Sequence, residues 1–261
     1  MSDPTNGLTL ALAKIERRRP LSADARAAFL ALPFRRRISK KYVDLVREGD
    51  RPTECIFLEQ GILNRSKTVP DGGRQIVSLH IPGDMVDLHG ILVQIADHRV
   101  GTETAATTLH VAIPHLLAIA EAYPEIGRAL WFDTLVDAAI YREWTVNIGR
   151  RDGRERLVHL LLEMGYRIEQ IGLAPRTNYV LPISQADLAD AVGLTQVHTS
   201  RVLTALRNDG ILDWDGGKVS IPDWAAACGF CGFDPVYLHG EGPRHGPAEL
   251  SPAPMASPVP A

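Results

Sequence analysis

The chain has 261 residues, of which 45% are hydrophobic and 23% are charged, a composition that is ordinary for a protein with a sizeable core. Its apolar runs fall short of the roughly 18–20 residues that a membrane span needs, and the N-terminus lacks the residue order of a signal peptide. We therefore expect a cytoplasmic protein without a membrane partner. The net charge of −3 excludes a global attraction for nucleic acid, so any such binding must come from a local patch.

Reactive side chains give little sign of catalysis or of a cofactor. The cysteines Cys55, Cys228 and Cys231 are too few for a disulfide framework and too scattered for a four-thiolate iron–sulfur site. The sequence has no nucleophile motif, phosphate-binding loop or paired-carboxylate site. Scattered histidines in a strand-rich region are usually hydrogen-bonded polar residues, and those here are His80, His89, His98 and His110. We predict neither an enzyme nor a protein with a cofactor or a metal.

The first half of the chain predicts an N-terminal arm over residues 1–20 and a β-roll over residues 21–122. Ser22 is suited to cap a short helix, ADARAAFLAL, that ends before Pro33. Over residues 38–113, apolar runs such as ECIFLEQG and RQIVSLHI alternate with glycine and proline turns. Because β-branched and aromatic residues between turn signals favour short strands, this region should form a roll or barrel.

A long helix is predicted over residues 123–149, because no glycine or proline interrupts the chain between Gly127 and Gly149. One stripe of this helix recurs at alternating spacings of three and four, as in helices that pack along a long partner. The stripe consists of Trp131, Thr134, Ala138, Tyr141, Thr145 and Ile148. It could cover the β-roll of its own chain, but a helix that projects between two domains has mainly its symmetry mate to pack along. We therefore predict a homodimer through this stripe.

A second domain is predicted over residues 150–232, beginning at the break RRDG. Within it, ISQADLADAVG and LTQVHTSRVLTALRNDG are two short helices, which Ser184 and Thr195 cap and between which Gly193 makes the turn. The pattern ILDWDGGKVSI adds a two-stranded hairpin. Two such helices with a hairpin form a winged helix-turn-helix, whose second helix can enter the major groove of DNA. Residues 233–261 are rich in proline with little to bury, so we predict a disordered tail there.

Residues 184–221 resemble the winged helix-turn-helix of the Crp/Fnr transcription-factor superfamily, and the β-roll, long helix and hinge follow that family's order. The resemblance implies an α+β fold with a cyclic-nucleotide-binding-like β-roll, a homodimer joined by its long helices, and double-stranded DNA as the partner. It implies a regulator of transcription, for which we also expect RNA polymerase as a partner. The alternative is a small-ligand sensor that acts mainly through protein contacts, and the intact unit from Thr195 to Lys218 argues against it.

The second helix of this motif carries no acid before Asp209. Arg201 stands where the family has a near-constant arginine, and it could read guanine O6 and N7 or only form an ion pair on a solvated helix face. Val197 replaces a glutamate of well-known members, so the half-site should differ from theirs. Gln196 and Ser200 complete the predicted base contacts. Contacts with the DNA backbone are expected from Thr195, His198, Thr199 and Lys218.

The turn HIPGDMVDL at residues 80–88 resembles the start of the family's nucleotide-binding cassette. The family follows it with a glutamate and later with an Arg-Ser or Arg-Thr pair. Here Asp87 or Leu88 falls near the glutamate position, and Arg99 is followed by Val100. We predict that Asp87, Leu88 and Arg99 border the pocket of an unknown small-molecule effector, although Arg99 could also be a surface residue. Cyclic AMP is not expected to be that effector, because partners for its phosphate and ribose are missing.

Overall fold

A computed structural model of the chain describes residues 6–240 and confirms the predicted α+β fold, with a β-roll, a long helix and a helix-turn-helix domain in that order. The N-terminal helices are α1 (Gly7–Arg18), α2 (Ala23–Leu30), α3 (Ile113–Ala122) and α4 (Pro124–Arg150). The β-roll strands are β1 (Arg35–Ser39), β2 (Asp44–Val46), β3 (Glu54–Gln60), β4 (Leu63–Thr68), β5 (Arg74–His80), β6 (Met85–Val86), β7 (Arg99–Thr102) and β8 (Ala106–Ala112).

The C-terminal domain contains four helices and a three-stranded sheet. In chain order its elements are α5 (Gly153–Gln170), β9 (Asn178–Val180), α6 (Gln185–Val192), α7 (Gln196–Asn208), β10 (Asp213–Asp215), β11 (Lys218–Ser220) and α8 (Trp224–Cys231). Among residues 6–240, no helix combines the length and the apolar character that crossing a membrane requires.

The β-roll consists of two antiparallel four-stranded sheets, with the strand orders β1–β8–β3–β6 and β2–β7–β4–β5. Side chains alternate between the two faces of a strand, so each sheet can turn one face inward. The apolar core of the roll contains Ile56, Leu58, Leu63, Val86 and Val100. This core fixes β4, whose Arg65 and Lys67 border a cavity on the side of α4.

The predicted arm over residues 1–20 contains a packed helix, α1. Asn6 caps it, because its side-chain oxygen accepts a hydrogen bond from the backbone N–H of Leu8 at 3.0 Å. Leu8 and Leu12 are buried together with Phe29 of α2 and Phe57 of β3. The arm therefore belongs to the β-roll domain.

The long helix α4 runs for 27 residues, which confirms the predicted helix. It ends at the break RRDG, where Asp152 begins the next helix. The Asp152 carboxylate accepts the backbone N–H of Glu155 at 2.9 Å, and the Glu155 carboxylate accepts the backbone N–H of Asp152 at 2.8 Å. This reciprocal capping box starts α5 and makes the break a defined hinge.

The prediction of a disordered tail is wrong for residues 233–240. Phe233 and Leu238 are buried, and Pro235–Leu238 forms a 3₁₀ helix. The Tyr237 hydroxyl donates a hydrogen bond to the Glu163 carboxylate on α5 at 2.8 Å. The apolar and aromatic side chains between the prolines pack against the domain, and their burial favours order. Residues 241–261 of the predicted tail lie outside the described residues.

The C-terminal domain packs directly against the β-roll. Arg74 on β5 forms ion pairs with Asp187 and Asp190 on α6, with N–O distances of 2.5 and 2.7 Å. Arg167 on α5 reaches Asp84, in the turn before β6, at 2.8 Å. Apolar residues of β5, α4, α5 and α6 form one continuous cluster around these pairs. The position of the DNA-binding motif is therefore defined relative to the β-roll.

Glu103 lies fully buried beside this domain contact, with its carboxylate 3.6 Å from Arg74. Burial and the neighbouring Asp187 carboxylate raise the pKa of Glu103 to about 8, from an ordinary value of 4.5. Between these two values the folded chain keeps a proton that the unfolded chain releases. The free energy of unfolding should therefore fall as the pH rises through this window.

We expect Glu103→Gln to lose this contribution, because glutamine resembles the protonated side chain but cannot ionise. In urea denaturation at about pH 5, 7 and 9, the stability of the variant relative to the wild type should rise with pH. Glu121→Gln, at an exposed position of α3, is the control and should differ from the wild type by a constant amount. A pH-independent difference for Glu103→Gln would contradict the raised pKa.

Candidate nucleic-acid interface and ligand cavity

The helix-turn-helix motif consists of α6 and α7, joined at Gly193. Gly193 has φ 66° and ψ 39°, a left-handed conformation that glycine adopts without Cβ strain, and its N–H donates to the Ala189 carbonyl. At the other end of α6, the Ser184 hydroxyl accepts the backbone N–H of Asp187 at 3.1 Å. The Asp187 carboxylate accepts the backbone N–H of Ser184 at 3.2 Å, which completes the capping box. The sequence-predicted boundaries of α6 are therefore confirmed.

One side of α7 is buried and the other is exposed. The Thr195 hydroxyl accepts the backbone N–H of His198 at 3.2 Å and so caps the helix. Val202, Leu203 and Leu206 form the buried side. The exposed side includes all four predicted base-contacting residues, Gln196, Val197, Ser200 and Arg201.

The first half of the exposed side of α7 is also unpaired, whereas Arg207 near the end of the helix pairs with Asp213 at 2.5 Å. Within residues 6–240, the side chains of Gln196 and Arg201 form no hydrogen bond or ion pair. The first turn of α7 holds no acid, and unsatisfied backbone N–H groups give a helix N-terminus a partial positive charge. Arg201 is therefore not held by an ion pair on its own helix, and its guanidinium is available to an external acceptor.

Thr199 does not lie on this surface, so the prediction that it contacts the DNA backbone is wrong. It is fully buried, because it stands three residues before Val202 and four before Leu203, on the inner side of α7. Thr195 and His198 are exposed.

The predicted wing is present as the hairpin of β10 and β11. Asp215 pairs with Lys218 across a turn in which Gly216 and Gly217 have φ values of 57° and 91°. Positive φ at both central turn positions is typical of tight hairpins. Lys218 is exposed next to the turn, so its side chain is accessible for the predicted contact with the DNA backbone.

A cavity of about 470 Å³ lies between the β-roll and α4. Its lining includes Arg65, His89 and His98 from the β-roll and Thr134, Asp137, Ala138 and Tyr141 from α4. The surface of the cavity is therefore shared between the β-roll and α4, and a ligand bound there would contact both.

Arg65 is the central charged group of the cavity and is almost fully buried. Its Nη1 atom donates to the Asp137 carboxylate at 2.9 Å and to the Tyr141 hydroxyl at 2.6 Å, and its Nε atom lies 3.4 Å from Asp87 Oδ1. Burial opposes the charge, but these partners raise the pKa of Arg65, which stays charged. The guanidinium in turn holds the pKa of Asp137 below its usual range despite burial, and a hydrogen bond with His98 together with the guanidinium does the same for the pKa of Asp87.

None of the three predicted effector residues lines this cavity, although Asp87 contacts two residues that do, Arg65 and His98. Leu88 is buried in the apolar cluster beneath α1 and α2, where a leucine is expected to pack. Arg99 points elsewhere, with its Nε atom 2.5 Å from Asp44. Adjacent residues of a strand face opposite sides, and the preceding residue, His98, is the one that borders the cavity.

The two histidines of the cavity lie close together, with ring centroids 4.9 Å apart, but differ in their surroundings. His98 Nε2 is 3.0 Å from Asp87 Oδ1, and its Nδ1 is 2.7 Å from Asp97 Oδ1. Burial disfavours a charge on His98, but the two carboxylates outweigh it and raise the pKa. Burial and the nearby charge of Arg65 lower the pKa of His89.

The predicted dimer stripe is divided between two sides of α4. Thr134, Ala138 and Tyr141 line the cavity, so the alternative that the stripe covers the β-roll of its own chain holds for these three. Trp131, Thr145 and Ile148 are exposed. Leu135 and Arg142 are exposed where the prediction had Thr134 and Tyr141, so the exposed seam consists of Trp131, Leu135, Arg142 and Thr145, with the half-buried Ala138 at its edge. Its spacings of four and three still suit a long partner helix.

Sequence reasoning missed Arg65, although a signal was present. Arg65 stands two residues after Leu63 in a strand, so both side chains share one face. A charge on the same face as a core leucine requires a buried partner of opposite charge. The sequence does not identify that partner, which lies 72 residues further along the chain.

Comparison with known proteins places both regions in known domain families. The family described as "Cyclic nucleotide-binding domain" matches residues 40–123, and the one described as "Crp-like helix-turn-helix domain" matches residues 155–226. The transcriptional activator protein FnrL of Cereibacter sphaeroides is 29% identical over 195 residues, covering 69% of this chain and 74% of FnrL.

Two further relatives have related names. The nitrogen fixation regulation protein FixK of Bradyrhizobium diazoefficiens is 28% identical over 179 residues, covering 67% of this chain and 73% of FixK. The solved structure of FixK2 from Bradyrhizobium japonicum is similar in fold, with a TM-score of 0.69 and 24% identity, over 76% of this chain and 97% of that one.

We expect Arg65→Ala to lower the free energy of unfolding by about 3–5 kcal/mol, because it leaves two buried carboxylates without their cation. Lys67→Ala, two residues along the same strand, removes an exposed ion pair with Glu48 and should cost less than about 1 kcal/mol. Urea denaturation of both variants measures the difference. Equal effects would show that the buried pairing does not hold α4 on the β-roll.

Proposed function

We propose that this chain, which belongs to the Crp/Fnr family of transcription regulators, binds palindromic promoter DNA as a homodimer through α7 and the wing. It is a regulator and not an enzyme, and its operator would lie in the cytoplasm. The observation that carries the proposal is the exposed first half of α7, on which Gln196 and Arg201 have no partner within residues 6–240. The alternative, a sensor that acts mainly through protein contacts, leaves this surface without a purpose.

In the proposed complex, Arg201 reads a guanine through two parallel hydrogen bonds to O6 and N7. Gln196 and Ser200 contact neighbouring base edges, and Val197 packs against a thymine methyl group. Thr195, His198 and Lys218 contact phosphates, which position the protein without reading sequence. Thr199 has no part in this interface because it is buried.

We expect Arg201→Ala to weaken binding by about 1–3 kcal/mol per half-site and to relax the preference at one base pair. Lys218→Ala should weaken all sequences alike and lower the slope of affinity against salt concentration. Arg128→Ala removes an equal charge from an exposed position on α4 and controls for the change in net charge.

Selection of bound sites from random DNA, followed by titration at several salt concentrations, measures these effects. The two half-sites should lie about one helical turn apart, at roughly 34 Å. If Arg201→Ala bound the selected site with unchanged affinity and preference, Arg201 would not be the reading residue.

Dimerisation is proposed to occur along α4. Crp/Fnr regulators act as dimers, and α4 exposes large apolar side chains that a single chain leaves in water. Trp131 is 67% exposed, Leu135 51% and Val146 45%. Exposed apolar side chains along one long helix indicate a partner helix.

We expect Trp131→Ala to weaken the dimer by at least about 2 kcal/mol, or roughly thirtyfold in Kd, since buried tryptophans often dominate interfaces. Leu173→Ala, which removes a similarly exposed apolar side chain after α5, should leave the dimer unchanged. Sedimentation over a range of concentrations measures both constants. A wild-type chain that stays monomeric at micromolar concentration would refute the proposed dimer.

The effector is proposed to be a small molecule other than cyclic AMP, and RNA polymerase is the proposed protein partner. Arg99 is engaged by Asp44, and Arg65 is already bonded to Asp137 and Tyr141. A cyclic phosphate would have to displace these partners to gain a cation. Calorimetric titration of cyclic AMP into nucleotide-free protein should therefore show no micromolar binding.

A further inference from the structure

His89 and His98 line the cavity, and Asp87 lies next to both of them. Asp87 directly follows β6, His89 lies in the short 3₁₀ helix Leu88–Ile91, and His98 directly precedes β7. Each offers a ligand atom, and these atoms lie within 4.8 Å of one another. Between residues 6 and 240, this is the one group of three or more potential metal-ligating side chains so close together.

The distances are close to those of a metal site. Asp87 Oδ1 is 3.0 Å from His98 Nε2 and 3.9 Å from His89 Nε2. A tetrahedral ion with bonds of about 2.0–2.2 Å holds its ligand atoms about 3.3–3.6 Å apart. To bind an ion, the distance from Asp87 to His98 would have to increase, and the distance from Asp87 to His89 would have to decrease, by about half an ångström each. His89, which is partly exposed, has room for this shift.

The second nitrogen of His98 is oriented as in metal-binding histidines. His98 Nδ1 is 2.7 Å from Asp97 Oδ1, and a carboxylate on the remote ring nitrogen holds a proton there, so that Nε2, which faces Asp87 Oδ1 at 3.0 Å, can ligate an ion that displaces its own proton. Asp87 also has a second oxygen that can act as a ligand atom, because its buried Oδ2 atom has no hydrogen-bond partner within residues 6–240. Such an atom is rarely left alone in a folded protein.

The charges around the group favour a cation. The carboxylates of Asp87 and Asp137 outnumber the guanidinium of Arg65, and Asp97, whose side chain is 82% exposed, adds a third carboxylate at the rim. Lys67 lines the same cavity but pairs with Glu48 at 2.6 Å. The excess of negative charge in a largely buried site is the condition that a divalent ion would neutralise.

We propose that Asp87, His89 and His98 bind a divalent transition-metal ion such as Zn²⁺ or Fe²⁺, with further coordination positions open to the cavity. Two imidazoles and one carboxylate suit ions of this borderline class, whereas Ca²⁺ and Mg²⁺ prefer oxygen ligands. The open positions can take water or a small ligand.

The ion is coupled to α4 through Arg65. When Asp87 ligates the ion, the negative charge of its carboxylate is partly neutralised, and its attraction for Arg65 Nε, 3.4 Å away, becomes weaker. Arg65 then interacts more strongly with its other partner, Asp137 on α4. The inference that this coupling carries a signal to α4 rests on the proposed function, whereas the inference that the ion binds is independent of it.

Metal binding is measured on full-length protein without a polyhistidine tag, after removal of metals with a chelator. The probe is Co²⁺, because its visible absorption reports a low-symmetry site with nitrogen and oxygen ligands, and Zn²⁺ is then added as a competitor. We expect one Co²⁺ per chain and its displacement by Zn²⁺, the more tightly bound ion at such sites.

Three variants and one control test the ligands. His89→Ala and His98→Ala should each weaken Co²⁺ binding by about 100-fold or more, and Asp97→Asn by about 10–100-fold. His115→Ala, an exposed histidine of α3, should have no effect. Thermal unfolding of the metal-free variants checks folding, and His89→Ala keeps the test valid if the buried His98→Ala does not fold.

The proposal is overturned if the wild type fails to bind Co²⁺ at about 100 μM, or if binding survives both histidine substitutions unchanged. The affinity of metal-free and of metal-loaded protein for the selected DNA site is measured in a separate experiment. Loss of Co²⁺ binding in the variants with unchanged DNA binding would retain the metal site and reject its coupling to α4. Absence of DNA binding in every form would reject the proposed function alone.

Discussion

The buried ion cluster of Arg65 connects the β-roll to α4, and the arrangement of the rest of the chain depends on it. A guanidinium removed from water must be paired, and here its partners come from two different elements. Asp137 and Tyr141 fix the rotation of α4 about its own axis, because a turned helix would leave charges buried and unpaired. That rotation decides which side chains of α4 border the cavity and which remain outside.

The domain contacts extend this constraint to the DNA-binding motif. The ion pair of Arg167 with Asp84 ties α5 to the turn before β6, three residues before Asp87. Arg74 ties β5 to α6. The cavity and the recognition helix are therefore joined by packed side chains and ion pairs on both sides of the hinge. A change in the cavity has a physical route to α7 through these contacts.

The sequence predicts those parts of the structure whose causes are local. The motif of α6 and α7 follows from two capping residues, one glycine and a short hairpin, all within 40 residues, and each of these signals acts on its immediate neighbours. The long helix follows similarly from an uninterrupted run. The exposed side of α7 is predictable from helical spacing, and the same spacing from Val202 and Leu203 places Thr199 on the inner side, which the prediction of a DNA-backbone contact overlooked.

The cavity could not be predicted in the same way. Arg65 and Asp87 belong to the β-roll, Asp137 and Tyr141 lie more than 70 residues after Arg65, and only the docking of α4 on the β-roll brings the two pairs together. Arg99 matched a motif position, but its strand neighbour His98 faces the cavity. His89 and His98 looked scattered in sequence because their proximity depends on the loop between β6 and β7. Order in residues 233–240 depends likewise on distant partners.

The segment after α8 has a mechanical consequence for the hinge. Arg151, at the hinge itself, donates to the Cys231 carbonyl at 2.9 Å, and Arg18 of α1 donates to the Leu238 carbonyl at 3.4 Å. The ring of His239 lies against Phe132 of α4. The segment after α8 thus passes back over the hinge and contacts residues on both sides of it. A rotation of the C-terminal domain about residues 151–152 must either move this segment with the domain or break its contacts with α1 and α4, so these contacts resist bending of the hinge.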